Sequence, residues 1–357
     1  EPAATATPTL APATYLHSLP DYSFTARYAY SQHTLTVSET ISYTNLTSQT
    51  FNQLLLVVEA NRYPGSLAIR SIAAGGQALD GFTLEGNRLN LPLLQPLDPG
   101  GALSLVLDYS LILPEIPEPS DTARPQPYGF TLRQANLVDW YPYIPPYQEE
   151  SGWLAPEPGY FGEHQVHPLA NYSVTLQVPE IGVPLTVAAS APALQQGDTY
   201  RYDLPAARSF ALSISPMYAV LSGKVDGITV YSYCFTFDTY GGQAALDHTL
   251  QALALYQELF GPYPHAALSV VQADFLYGME FDGLYFLSRG FYNTYDGTPA
   301  GYLAAISVHE TAHQWFYAMV GNDQAIEPWL DEALCTYQER IFYENLYPEA
   351  LDWWWAY

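Results

Sequence analysis

The sequence predicts two structural regimes in one chain, all-β first and α+β after. Three observations carry this. Residues 15–223 read almost entirely as strands, no helix of convincing length occurs before about residue 240, and after "GITVYSYC" the apolar period changes to that of helices. Within the first part, "YSFTARYAY" and "HTLTVSETISYTN" alternate apolar and polar residues and are rich in Thr, Tyr and Val, the pattern of half-buried strands. "FNQLLLVVEAN", "GALSLVLDYSLIL", "NYSVTLQVP" and "YRYDLPAARSFALSIS" continue it, separated by Gly, Pro, Asn and Asp turns. The proline-rich 114–129 and the aromatic 139–153 read as irregular loops.

In the second part, residues 241–261 predict a helix rich in Ala, Leu and Gln, ended by Gly261 and Pro262. "HAALSVVQADF" predicts a strand and "YGMEFDGLYFLS" a second one after a short turn; 300–320 and 328–346 predict two further helices. The expected organisation is a tether over 1–14, a β-domain over 15–223 and an α+β domain over 224–357.

The chain has 357 residues, 48% of them hydrophobic, enough for two cores. No run of 18 apolar residues occurs, so no membrane-spanning helix is expected. A formal charge of −25, from 36 acidic against 11 basic residues, argues against nucleic acid and anionic lipid as partners. Cys234 and Cys335 do not make a disulfide framework and are expected as buried free thiols. The opening "EPAATATPTLAPA" cannot build a core and reads as a tether, which favours export and surface anchoring. "LDWWWAY" sets three Trp side chains beside a terminus, which predicts a chain that continues past Tyr357.

The chemistry concentrates in "SVHETAHQWFYAMVGNDQAIEPWLDEALCTYQE", residues 307–339. His309 and His313 are four apart, one turn apart on the same helix face, where two imidazoles can bind one ion. Glu310, about 100° round the helix, can reach a water on that ion, the H-E-x-x-H arrangement of zinc proteases. A second helix, opening near Pro328, offers Glu332 as a third ligand; Glu339, seven residues on, returns to the same face and can fix the tautomer of a ligating histidine. Three protein ligands leave zinc one open position, the catalytic arrangement. The bland alternative, two surface helices with polar residues facing water, is opposed by neighbours expected to be buried: Ile306, Phe316, Trp329, Leu330 and Leu334. His164 and His167, another H-x-x-H, read as loop histidines without an acidic partner.

H-E-x-x-H followed after eighteen residues by Glu332 within "EPWLDEALCTYQE" resembles the gluzincin aminopeptidases of the aminopeptidase N and leukotriene hydrolase family. That family's second helix commonly reads W-L-N-E-G, here Trp329-Leu330-Asp331-Glu332-Ala333. Its G-x-M-E-N strand is matched at Met279 and Glu280, while Tyr277 and Phe281 depart from it. The resemblance implies a saddle-like β-domain followed by a thermolysin-like catalytic domain, seen here without its C-terminal part. It implies one zinc ion held by His309, His313 and Glu332, with Glu310 as general base and acid. It implies that Glu280 binds the free amine of a peptide substrate, with Gln134 as a second amine contact from the β-domain. The family's oxyanion-donating tyrosine is expected past Tyr357, which would leave this stretch a weak catalyst. The implied activity is removal of N-terminal residues from peptides; the rival reading is a peptidase-like scaffold that binds peptides or partner proteins.

Overall fold

A computed structural model describes residues 19–118, 126–159, 163–179 and 182–357. The expected tether 1–14 and the middle of the proline-rich loop lie outside the described residues.

The first part is β-rich, as its alternation predicts. Its largest sheet has eight strands in the order 194–196, 199–207, 170–177, 21–29, 34–44, 102–112, 67–74 and 77–78. All neighbours are antiparallel except Asp21–Ala29 and Ala170–Gln177, which run parallel. The strand Asp21–Ala29 alternates exposed and buried residue by residue, so Tyr22, Phe24, Ala26 and Tyr28 point into one core. That core continues through a three-stranded and a four-stranded sheet to Phe281, Leu284 and Phe286 of the second part. Among the described residues before 239 only two short 3₁₀ turns interrupt the strands, Tyr30–Gln32 and Glu59–Arg62.

The second part is a five-stranded sheet in the order 218–225, 228–235, 267–273, 284–288 and 278–281, with helices against it. Tyr218–Val225 pairs along its whole length with Ile228–Phe235. The expected boundary at 223/224 therefore falls inside a strand, because the alternation of 218–225 does not show which sheet it joins. The helix α1, Thr239–Phe260, carries the chain between the parallel strands 228–235 and 267–273. Gly261 ends it with φ of 98°, a conformation that suits glycine.

The stretch expected as one strand at 277–288 folds as a hairpin, Gly278–Phe281 against Leu284–Ser288, with Asp282 and Gly283 at the turn. Gly283 has φ of 68°, and a Cβ there would lie 2.0 Å from the Ser190 carbonyl oxygen, so the turn needs this residue. After a short helix α2, Arg289–Thr294, come α3, Tyr302–Ala312, α4, Trp329–Leu346, and α5, Leu351–Ala356. The expected helix at 300–320 stops at His313, since the chain turns so that the His313 ring can bond the Phe316 carbonyl. No helix among the described residues is long and apolar enough to cross a membrane. Cys234 and Cys335 are buried free thiols, as expected.

Candidate functional site

The site lies where α3, α4 and the edge hairpin meet. His309 and His313 are one turn apart, with Nε2 atoms 3.1 Å from each other. Glu332, on the first turn of α4, brings Oε2 to 3.3 Å from His309 Nε2 and Oε1 to 3.9 Å from His313 Nε2. The three side chains thus converge as a set able to hold a metal ion.

The partners of the other ring nitrogens decide what the converging atoms are. His309 Nδ1 lies 2.7 Å from Glu339 Oε1, and His313 Nδ1 lies 3.1 Å from the Phe316 carbonyl oxygen. Both acceptors require an N–H at Nδ1, so in the neutral rings both Nε2 atoms carry lone pairs. Two lone pairs facing each other at 3.1 Å repel unless a proton or a metal cation sits between them.

Charge in the site follows from this crowding. Burial disfavours the charged form of His309, but hydrogen bonds to Glu332 and Glu339 and the charge of Glu310 outweigh it, raising its pKa to about 10. Burial and the neighbouring His309 charge lower His313 to about 4. Burial works upward on Glu332, but the two imidazoles hold it down to about 2. Burial, partly opposed by His309 and reinforced by the surrounding carboxylates, raises Glu310 to about 8.

Glu310 is buried, and its Oε2 has no hydrogen-bond partner among the described residues. Its other oxygen fits against the edge hairpin: a Cβ at Gly278 would come within 1.9 Å of Glu310 Oε1, so only glycine permits this approach. Tyr277, where the family pattern has glycine, takes φ of 66°. Glu280, two residues beyond Gly278, is 5% exposed, with Oε1 likewise unpartnered. Burial and the charges of Glu163, Glu310 and Glu332 push its pKa well up.

Several positioning residues carried no sequence signal. Gln314 fastens the hairpin to α3: its Nε2 donates to the Phe281 carbonyl at 3.0 Å and its Oε1 accepts from Gly283 N–H at 3.0 Å. Glu339 is saturated, with His309 on one oxygen and Trp354 Nε1 donating to the other at 2.9 Å. One Trp of the aromatic run thus orients the residue that orients a site histidine, while Trp355 is left 63% exposed. Trp329 and Leu334, expected to be buried, are 60% and 39% exposed; the converging polar groups stand without that support.

Gln134 is placed elsewhere than the resemblance implied. It is fully buried, its Oε1 accepts from Asp274 N–H at 3.1 Å, and its Nε2 reaches Asn136 Oδ1 at 2.7 Å and Tyr218 Oη at 3.1 Å. Both ends of the amide are engaged in joining the four-stranded sheet to the second part. The carboxylate of Glu163 lies near those of Glu280 and Glu332. Glu163 is followed on the same stretch by His164 and His167. Each of these has an acidic partner after all, Glu59 at 3.1 Å and Asp139 at 3.4 Å, both remote in sequence.

Residues 244–357 match the family model described as the peptidase family M1 domain. Aminopeptidase M1 of Arabidopsis thaliana is 26% identical over 199 residues, covering 52% of this chain and 22% of that protein. Aminopeptidase M1-D of Oryza sativa subsp. japonica is 27% identical over 197 residues, covering 52% and 22%. The chain thus spans about a fifth of the length of these M1 relatives.

Proposed function

We propose that the protein is a zinc-dependent aminopeptidase, its catalytic part thermolysin-like in arrangement. The observation that carries the metal is the pair of facing Nε2 atoms, each with its Nδ1 committed, completed by a carboxylate. Four ligands at 2.0–2.1 Å round a tetrahedral zinc stand about 3.3 Å apart, and the edges here are 3.1, 3.3 and 3.9 Å. The family match and the aminopeptidase relatives support a peptidase.

His309, His313 and Glu332 would hold the ion, which supplies Lewis acidity and a water of lowered pKa. Glu310, buried with one free oxygen, accepts the water's proton and returns it to the departing amine. Glu339 keeps the His309 proton on Nδ1, leaving Nε2 for the ion, and Trp354 keeps Glu339 in place. Glu280, at the edge of the sheet, binds the α-ammonium of a peptide and so selects the first residue.

The test is zinc-loaded protein incubated with two matched peptides, one with a free amino terminus and one acetylated, followed by mass spectrometry. Stepwise shortening of the free peptide alone is expected. Cleavage of both would make the protein an endopeptidase, and cleavage of neither would favour a peptide-binding scaffold.

A further inference from the structure

We propose that Arg208, in the β-rich part, is a positioning residue for the metal-facing ring of His313. This rests on the zinc reading and adds to it the group that holds the second histidine from outside the helices that carry the site.

The two histidines are oriented by different means. His309 is held by a side chain, Glu339, on α4. His313 is held by a backbone carbonyl, that of Phe316, in the turn that follows α3. A carbonyl is only as fixed as the turn that carries it, and this turn is irregular. Tyr317 takes φ of 134°, a conformation that L side chains rarely adopt and that persists only where surrounding contacts over-determine it. Within the turn, Ala318 N–H donates to the His313 carbonyl at 3.0 Å, and Tyr317 N–H to the Val320 carbonyl at 3.1 Å. The Tyr317 and Ala318 carbonyls both accept from outside it, from Arg208 Nε at 2.8 and 3.0 Å.

Local structure brings Arg208 to that position. The strand 199–207 shifts register opposite Ala170 and Tyr172, and Ala206 takes φ of 51° as its N–H donates to Asn171 Oδ1 at 3.0 Å. A bulge bends its strand and re-aims what comes next, which here is Arg208. Its Nη1 donates to the His167 carbonyl at 2.9 Å, so the guanidinium fork serves two segments at once. The backbone N–H groups of Arg208 and Ser209 both donate to Asp282 Oδ2, at 2.9 and 3.2 Å. Ser209 Oγ in turn accepts from Asp282 N–H at 3.2 Å and meets the Tyr317 hydroxyl at 3.3 Å. Two residues of the β-rich part thus fasten the hairpin turn and the turn after His313 to each other.

Gly321 leaves room for the guanidinium. A Cβ there would lie 2.3 Å from Arg208 Cζ and 2.6 Å from its Nε and Nη2. Gly321 is exposed and outside the left-handed φ region, so Gly321→Ala is accommodated by moving the end of a flexible side chain. That substitution unseats the arginine without altering it.

The experiment measures zinc affinity by chelator competition and the absorption spectrum of the cobalt-substituted protein, which reports ligand geometry. It compares the wild type with Arg208→Met, Arg208→Lys, Gly321→Ala and the Met/Ala double variant, with the denaturant midpoint of each. Arg208→Met should weaken zinc binding about 10–100-fold, as loss of a group that orients a ligand commonly does, and should change the cobalt spectrum. Arg208→Lys should recover part of the affinity. Gly321→Ala should move affinity and spectrum in the same direction as Arg208→Met and add nothing in the double variant, since both remove one contact. A lowered midpoint with wild-type zinc affinity and cobalt spectrum would make Arg208 a structural residue only and overturn the proposal. Equal losses from Gly321→Ala with and without the arginine would also overturn it, because the turn itself would then hold His313. If Arg208→Met does not fold, unchanged affinity and spectrum in both Arg208→Lys and Gly321→Ala would be decisive against it. A wild type that binds no zinc would overturn the metal reading and this proposal together, whereas failure in the variants alone overturns only the role of Arg208.

Discussion

Two glutamates lie on strands in this molecule with almost no solvent around them: Glu39, in the middle of the eight-stranded sheet, and Glu280, on the edge of the five-stranded one. Glu39 faces the Tyr109 hydroxyl, with Tyr22 nearby, inside the apolar core. Burial raises its pKa far above the ordinary carboxylate range, so the fold holds it as the neutral acid. Glu280 is equally deprived of water, but it faces other carboxylates and the His313 imidazole. A lone buried acid is relieved by a proton; a group of acids and imidazoles with convergent lone pairs is relieved by a cation. The company a buried charge keeps, more than its burial, separates a strained core position from a site.

The comparison is sharpened most by removing the metal ligands. His313→Ala should bring bound zinc, measured by elemental analysis after dialysis, from one per chain to near none, because two of the three ligands do not close a site. Next, Glu310→Gln should keep the zinc and slow peptide hydrolysis about 10²–10⁴-fold, the usual worth of a general acid–base group. Loss of zinc in that variant would instead make Glu310 a ligand or a structural support.

A smaller effect is expected at Glu339. Glu339→Gln should weaken zinc binding about 10–100-fold, as removal of an orienting partner commonly does. In the wild type, zinc must displace the proton that His309 holds up to about pH 10, so affinity should rise with pH, about tenfold per unit from His309 alone. His313, lowered to about 4, adds no slope above pH 5. Competition with a chromophoric chelator at pH 6, 7 and 8 measures both; a flat profile would mean that His309 is already neutral.

The smallest effect concerns Glu39. The unfolded chain ionises this residue near its ordinary value, while the folded protein keeps it protonated, so wild-type stability falls as pH rises through that range. Glu39→Met should therefore gain about 1–3 kcal/mol at pH 8, shrinking toward pH 4 in denaturant titrations. A gain of the same size at both pH values would show that packing, not charge, sets the cost.

The residues by themselves determined what is local. Alternation over 22–30 and 33–45 announced half-buried strands because a pleated backbone turns successive side chains to opposite faces. The four-residue spacing of His309 and His313 and the return of Glu339 after two turns were legible because a helix repeats every 3.6 residues. What only the tertiary structure decided depends on contacts between segments far apart in the chain. The resemblance pointed to Gln134, but packing against Asp274, 140 residues away, commits that amide to the core. Glu163 gave no local signal, because its place beside Glu280 is set by Arg208 and by two histidine–carboxylate pairs spanning 105 and 28 positions. Trp354 and Gln314 likewise acquire their roles only when α5 and the hairpin turn close against the two site helices. Periodicity reports which face a residue takes on its own element; which faces meet is a property of the whole packed chain.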